Sequence, residues 1–501
     1  MGLKLLIEGH LRPAVAVAIK LLKEKPDLII TFPIPLNLQQ DLLDHIKEYF
    51  IDGKDDTLQT NLRKRTRIIP LGPCVHRDKN FYTLVEEFEP FYTDLISSKP
   101  YIAKNGMILD SIRPPDICMM DRTQALHSEA LRTVHRITEN IPVFVFSFSS
   151  TSLTLRILLR GDVPAQAERL SKETGRPIDE ILMEFYQPNK GQVIDIPGLP
   201  SMYDYEVVPH LSPVMLAFYL KMGSRSYDSF QNCSGIITTS NWVYESQGTR
   251  ALEKYLSETN RPLYVLGPLG LITPEQLKES SEERTATAFL DGILTKRGKQ
   301  SLIYVSFGSL FWPPNPEAVW KILEILLERN IPILLSYNNQ KASMPEALHS
   351  TLTLSENAFI TPWAPQNAVL QHPVTGWFLT HCGQNSVMEA LSNGIPMIAW
   401  PIDTDQPLNA AYMSTKLHVA YELIEVRTKN GLKPLHRGIT PRGTMEAVEE
   451  EFRGILEKLW SSDGQAKRED AQEIQRKFST LWDEDGESRK DLRRFISDHL
   501  S

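Results

Sequence analysis

The chain from Trp363 to Gln406 concentrates groups suited to phosphate and sugar: WAPQNAVLQHPVTGWFLTHCGQNSVMEALSNGIPMIAWPIDTDQ. An apolar run ending at Phe378 to Thr380 leads into the turn His381-Cys382-Gly383-Gln384-Asn385-Ser386. A helix is expected from Ser386 toward Asn393, with Gly394 as its stop. A glycine-containing turn at a helix N-terminus offers free backbone N–H groups and the positive end of the helix dipole, which together suit a diphosphate. One connection further on, Asp405 and Gln406 supply a carboxylate and an amide able to hydrogen-bond sugar hydroxyls. Near the start, Gly9-His10-Leu11-Arg12-Pro13 lies between a first strand and a first helix. A helix N-terminus disfavours imidazolium there and leaves a neutral ring able to accept a proton. Asp121 ends a strand and precedes a helix, where N-capping is its simplest use, and Asp116 suits the turn before that strand.

Strand-like apolar runs and helix-period segments alternate along most of the length. Leu3–Ile7, Leu28–Phe32, Thr66–Ile69, Ile117–Met120 and Val143–Phe148 read as buried parallel strands, with helices expected at Ala14–Leu22, Gln39–Phe50 and Gln124–Thr138. The rhythm restarts at Leu302–Val305 and continues through Pro332–Ser336, Phe359–Thr361, Trp377–Thr380 and Met397–Ala399. Two such runs imply two doubly wound α/β domains. Residues 267–300, rich in Pro, Gly, Glu, Ser and Lys, read as the linker, and residues 160–200 as an insertion with one or two short helices. The charged stretch from Gln465 carries helical spacing at Leu481, Leu492, Phe495 and Ile496 and is expected to dock as a helix.

Composition narrows the classes. The 501 residues suffice for two or three domains, and 42 % hydrophobic with 23 % charged residues is an ordinary globular balance. A net charge of −8 argues against a nucleic-acid partner. No apolar run approaches the ~18 residues of a membrane span. MGLKLLIEGHLRP is too short in its apolar part for a secretory signal, so a cytoplasmic location is expected. Cys74, Cys118, Cys233 and Cys382 lie far apart without C-x-x-C, which suits reduced thiols. The missing G-x-G-x-x-G disfavours a dinucleotide dehydrogenase. No metal site is read from the sequence, and no cofactor is expected.

The Trp363–Gln406 stretch closely resembles the donor-binding signature of the family 1 UDP-dependent glycosyltransferases. The resemblance extends to Gly9-His10, to Val305-Ser306-Phe307-Gly308-Ser309, to Ile196-Pro197-Gly198-Leu199-Pro200, to Gly267-Pro268-Leu269 and to Asp485-Gly486-Glu487-Ser488. It is thin over residues 35–110 and 150–195. It implies the GT-B fold: two facing doubly wound Rossmann-like domains with a central cleft. Residues 1–266 would bind the acceptor, 267–300 link, 301–480 bind the UDP-sugar, and 481–501 form a helix docked back on the first domain. The resemblance also implies roles. His10 would be the base and Asp121 its partner, controlling tautomer and compensating charge. Ser309, His381, Gly383, Asn385 and Ser386 would meet the diphosphate. Trp363 would stack on uracil, with Gln366 at the base edge. Glu389 would accept from the ribose hydroxyls, although Ser386 and Glu389 also fit a capping box. Trp377 and Trp400 read as core aromatics. Gln384, Asp405 and Gln406 would contact the sugar, Gln384 standing where plant members carry tryptophan. The first strand begins almost at Met1, earlier than the family pattern.

The reaction so implied is metal-independent, inverting transfer of a hexose, glucose being expected, from a UDP-sugar to a small hydroxylated acceptor by a monomer. Phenols, flavonoids, sterols and hydroxy fatty acids all fit an apolar pocket with one base. A UDP-sugar epimerase or hydrolase on the same scaffold, or an inactive nucleotide-sugar-binding regulatory protein, are the alternatives.

Overall fold

The structure, a computed structural model, describes residues 4–8, 11–48, 64–71, 83–102, 106, 108–109, 114–121, 141–186, 189–210, 226–269, 281–308, 311–338 and 342–500. The chain divides into two compact units. The first comprises Met1–Ile178, Phe218–Lys278 and Leu481–Ser501; the second comprises Asp179–Ala217 and Glu279–Thr480.

In the first unit the strands are β1 (Lys4–Glu8), β2 (Ile29–Pro35), β3 (Thr66–Leu71), the short hairpin β4 (Tyr101–Ile102) and β5 (Ile108–Leu109), β6 (Ile117–Asp121) and β7 (Val143–Ser147). After β8 (Val193–Ile194) and β9 (Met202–Tyr203), which belong to the second unit, come β10 (Gly235–Thr238) and β11 (Leu263–Val265). The main sheet runs β11-β10-β7-β6-β1-β2-β3, all parallel. Its central strands are buried at every residue of β6 and β7, as expected of a parallel sheet covered on both faces. The Leu11–Glu24 helix turns Ala14, Val15, Ala18, Leu21 and Leu22 into the core against Ile30, Phe32, Phe144 and Phe146. The Glu487–His499 helix closes the same core with Leu492 and Phe495, whose ring meets Phe144 and Tyr264 edge-on at 5.2 Å. Asp491 accepts from the Val265 N–H at 2.9 Å, Trp482 Nε1 donates to the Pro268 carbonyl at 2.8 Å, and Arg489 pairs with Glu24 at 2.8 Å.

The second unit repeats the plan with β12 (Leu302–Ser306), β13 (Ile333–Ser336), β14 (Ala358–Thr361), β15 (Thr375–Thr380), β16 (Met397–Ala399) and β17 (Ala420–Glu422). These run in the order β14-β13-β12-β15-β16-β17, again all parallel. Trp377 and Trp400 are wholly buried among Trp320, Leu323 and Phe452, so both are core aromatics. Ser281–Arg297, inside the stretch expected as linker, is a helix whose apolar positions Ala286, Leu290 and Ile293 are buried. In each main sheet the strand order reverses between that sheet's first and fourth strands in chain order, at β1/β6 and at β12/β15. Ligands of open α/β sheets bind outside the carboxyl ends of strands at such a reversal.

Residues 163–186 form two short helices, Val163–Thr174 and Ile178–Tyr186. The following segment, 189–210, pairs β8 with β9 and is stitched onto residues 428–436 within the second unit. Glu206 accepts from the His436 N–H at 2.7 Å, Thr428 N–H donates to the Pro209 carbonyl at 3.1 Å, and Lys433 donates to the Asn189 carbonyl at 2.7 Å.

Candidate active site

At the β12/β15 reversal the chain leaves β15 through His381, Cys382 and Gly383 and enters a helix over Gln384–Ser392. The helix starts two residues before the expected Ser386. Gly383, at φ −61° and ψ 146°, is the N-cap and makes no side-chain cap. Ser386 therefore sits in the first turn and Glu389 in the second, which removes the capping box as a use for Glu389. Gly394, at φ +66°, follows the last turn as the sequence led one to expect.

Glycines on both sides hold the His381 ring. A β-carbon at Gly383 would stand 2.6 Å from its Nε2, and one at Gly308 would stand 2.8 Å from its Cε1. Cys382 takes the left-handed conformation, φ 66°, and its thiol is buried. Burial pushes that thiol well above its ordinary pKa, so it is poorly suited to nucleophilic work.

Gln366, Ser386 and Glu389 come together. Gln366 Nε2 donates to Glu389 Oε2 at 2.6 Å and to Ser386 Oγ at 3.1 Å, while its carbonyl accepts from the Tyr304 hydroxyl at 3.4 Å. Burial first, then the nearby Glu389 charge, raises the Tyr304 hydroxyl above its ordinary range and keeps it a donor. Trp363 is 50 % exposed, in contrast to the buried Trp377 and Trp400, and can stack on a flat ligand. Ser309 lies outside the described residues.

The Asp405–Gln406 pair is already in use. Asp405 Oδ2 accepts from the Gln384 N–H at 3.1 Å and from Asn409 at 3.3 Å, tying the start of the Gln406–Thr415 helix to the start of the Gln384–Ser392 helix. Its Oδ1 accepts from Thr404 at 3.0 Å. Gln406 Oε1 accepts from the Ile402 and Asp403 N–H groups at 2.9 and 3.0 Å, which turns its N–H₂ end away from the loop. Gln384 is 3 % exposed, and among the described residues neither its amide oxygen nor its amide nitrogen has a hydrogen-bond partner. Buried orphans of this kind cost stability and concentrate where a ligand completes them.

At the β1/β6 reversal, Asp121 is the last residue of β6 and 1 % exposed. Register pairs Glu8, the end of β1, with Met120 beside it. His10 lies outside the described residues, and so does the expected helix Gln124–Thr138. Among the described residues no group of three His, Cys, Asp or Glu is placed to hold a metal ion, and no helix is long and apolar enough to cross a membrane.

Residues 282–434, which contain this strand-turn-helix and both polar clusters, match the family model for UDP-glucoronosyl and UDP-glucosyl transferase. UDP-glycosyltransferase eriJ of Hericium erinaceus is 33 % identical over 359 residues, covering 68 % of this chain and 70 % of its own. The chain belongs to the UDP-glycosyltransferase family. Anthocyanidin 3-O-glucosyltransferase 2 of Fragaria ananassa is 38 % identical over 173 residues, 33 % of this chain and 37 % of that enzyme. A UDP-bound glycosyltransferase of Siraitia grosvenorii superposes over 100 % of both chains with a TM-score of 0.69 at 21 % identity. The fold class is GT-B, with two Rossmann-like units.

This UDP-glycosyltransferase also has site-proximal groups that spacing did not announce. Tyr304 and Asn409 sit on neighbouring elements and reach the cluster only through the fold. His210 is 2 % exposed; its Nε2 lies 3.2 Å from the Pro401 carbonyl and its Nδ1 3.2 Å from Thr428 Oγ1. No motif in the sequence marks it.

Proposed function

We propose that this UDP-glycosyltransferase moves a hexose, glucose in preference, from a UDP-sugar to a hydroxyl of a small lipophilic acceptor with inversion at the anomeric carbon. The observation that carries the sugar part of this reading is the unpartnered amide of Gln384 beside Asp405 and Gln406. A buried donor and acceptor with no partner among the described residues suit a ligand presenting adjacent hydroxyls. The relative from Fragaria ananassa, named as an anthocyanidin glucosyltransferase, supports glucose as donor and a phenolic acceptor.

The chemistry then runs as follows. His10 takes the acceptor's O–H proton, with Asp121 fixing the ring tautomer and compensating the imidazolium. The acceptor oxygen bonds to the anomeric carbon as the bond from that carbon to the diphosphate breaks, and UDP leaves with the electron pair. His381 and the first-turn amides of the Gln384–Ser392 helix stabilise the departing charge. Asp405 already holds the Gln384 N–H, so the Asn385 and Ser386 amides are the ones assigned to phosphate. Trp363 stacks on uracil, while Glu389, oriented by Gln366, accepts from the ribose hydroxyls. No metal or cofactor enters this scheme, and the enzyme acts as a cytoplasmic monomer.

An axial hydroxyl in place of an equatorial one leaves a buried polar group unpaired, at about 1–3 kcal/mol. With Gln384 replacing a flat tryptophan wall the lower end applies, so UDP-glucose should exceed UDP-galactose by about tenfold in kcat/KM. Purified protein, a panel of phenols, flavonoids, sterols and hydroxy fatty acids, and mass detection of a hexose increment test the reading. Equal rates with both donors, or preference for UDP-N-acetylglucosamine or UDP-glucuronate, overturn the sugar assignment.

A further inference from the structure

We propose that His210 is a positioning residue for the donor sugar, acting through one peptide unit on the amide of Gln406. The inference rests on the reading of Gln406 as a sugar contact. The peptide joining Pro401 to Ile402 is a rigid plane whose C=O and N–H point in opposite directions. On one side its carbonyl meets His210 Nε2 at 3.2 Å; on the other its N–H donates to Gln406 Oε1 at 2.9 Å. A carbonyl can only accept, so Nε2 carries the proton and Nδ1 accepts from the Thr428 hydroxyl at 3.2 Å.

Rotation of that plane would withdraw the Ile402 N–H from Gln406 Oε1, leaving the loop to hold that oxygen through the Asp403 N–H at 3.0 Å and the amide free to swing. His210 thereby sets which way the Gln406 N–H₂ points without touching the sugar. The ring itself is anchored. Pro209 N-terminal to it receives the Thr428 N–H, and a β-carbon at Gly431 would stand 2.3 Å from the Pro209 carbonyl oxygen. Burial, then the neighbouring Arg427 charge, lowers the His210 pKa to about 3, so the ring holds this neutral tautomer across the physiological range.

The side chains that can replace His210 differ in reach. Glutamine places an amide nitrogen near the position of Nε2, whereas asparagine is too short to reach Pro401. The test compares His210→Asn, His210→Gln, Thr428→Val and Gln406→Ala, scaling rates to the fraction of protein that binds UDP in calorimetry. His210→Asn should raise KM for UDP-glucose about fivefold and cut the glucose-over-galactose ratio from about tenfold to under threefold, as expected for loss of one buried hydrogen bond. Its UDP dissociation constant should stay within about twofold, and His210→Gln should restore most of the ratio. Thr428→Val, which frees Nδ1 but leaves Pro401 bonded, should lower the ratio about twofold. A merely structural histidine would lower the UDP-binding fraction and leave the ratio alone, and that result overturns the inference. If His210→Asn binds no UDP, an unchanged ratio in Thr428→Val overturns it instead. A ratio lost in Gln406→Ala but kept in both His210 variants removes His210 alone. A ratio unchanged in every variant removes Gln406 from the sugar site and the inference with it.

Discussion

Over their first six strands the two sheets share one strand order and one place of reversal, yet the residues set there differ in kind. At β12/β15 the exit turn is built from small residues around one ring: Gly308 and Gly383 flank His381, and a nine-residue helix points its N-terminus at the same spot. At β1/β6 the strand ends in a buried carboxylate, Asp121, beside the end of β1, after which the sequence has Gly9-His10. The first arrangement offers N–H groups suited to an anion; for the second we propose a base, His10, with Asp121 as its counter-charge. The contrast teaches that the reversal fixes where a ligand goes, while the two or three residues after each strand fix the chemistry.

The largest expected effect separates the two reversals outright. His10→Ala should lower turnover by a factor on the order of 10² to 10⁴ and leave UDP affinity unchanged, read by steady-state rates against UDP titration. Parallel loss of both would collapse the distinction. Gly383→Ala attacks the other reversal without backbone strain, since its φ and ψ suit alanine. The added methyl must displace His381, so UDP and UDP-glucose should both weaken roughly 10- to 100-fold, the worth of a charge-assisted hydrogen bond. Unchanged UDP binding would separate His381 from the diphosphate.

The fold was easier to read than the detail of the site, and particular residues say why. Strands built on apolar runs, such as β6, β7 and β15, announced themselves, and β16 at Met397–Ala399 fell where its run of apolar residues lies. β17, Ala-Tyr-Glu, did not, because an edge strand ending in a buried ion pair has no apolar run. The start of the Gln384–Ser392 helix was displaced by two residues because Ser386-x-x-Glu389 imitates a cap, whereas the backbone of Gly383 fulfils that place. Gln366 and Glu389 were both singled out because one contiguous stretch carries them, but their direct hydrogen bond was not foreseen. His210, about 190 residues before Pro401 in the chain, left no spacing to count.

Smaller effects sharpen the second half of the comparison. Glu389→Ala should weaken UDP about tenfold by removing the acceptor held by Gln366. Because Glu389 is not part of a cap, thermal stability should change little; a lower melting temperature with intact UDP affinity would reverse that conclusion. The last effect concerns pH, is read in stability and not in affinity, and belongs to the second unit alone. Glu451 accepts from the Ile424 and Glu425 N–H groups, and burial raises its carboxyl to about 7. The folded state thus favours the protonated acid. The stability it contributes is full below about pH 4.5 and is lost as pH rises through about 7, by at most about 3 kcal/mol. Glu451→Gln should flatten the fall in melting temperature between pH 5 and 8, and an equally steep fall in the variant would exclude this carboxyl as its source.

The grouping of chain segments has a practical corollary for anyone recombining members of this family. Leu481–Ser501 completes the core of the first unit, where Phe495 seals Phe144 and Tyr264, while Asp179–Ala217 groups with the second. A chimera with a single crossover near residue 279 would graft a foreign tail helix onto the first unit's aromatic core and a foreign 189–210 segment against Pro401 and Thr428. Donor preference should travel with four junctions, not one: beside residues 178, 217, 278 and 480.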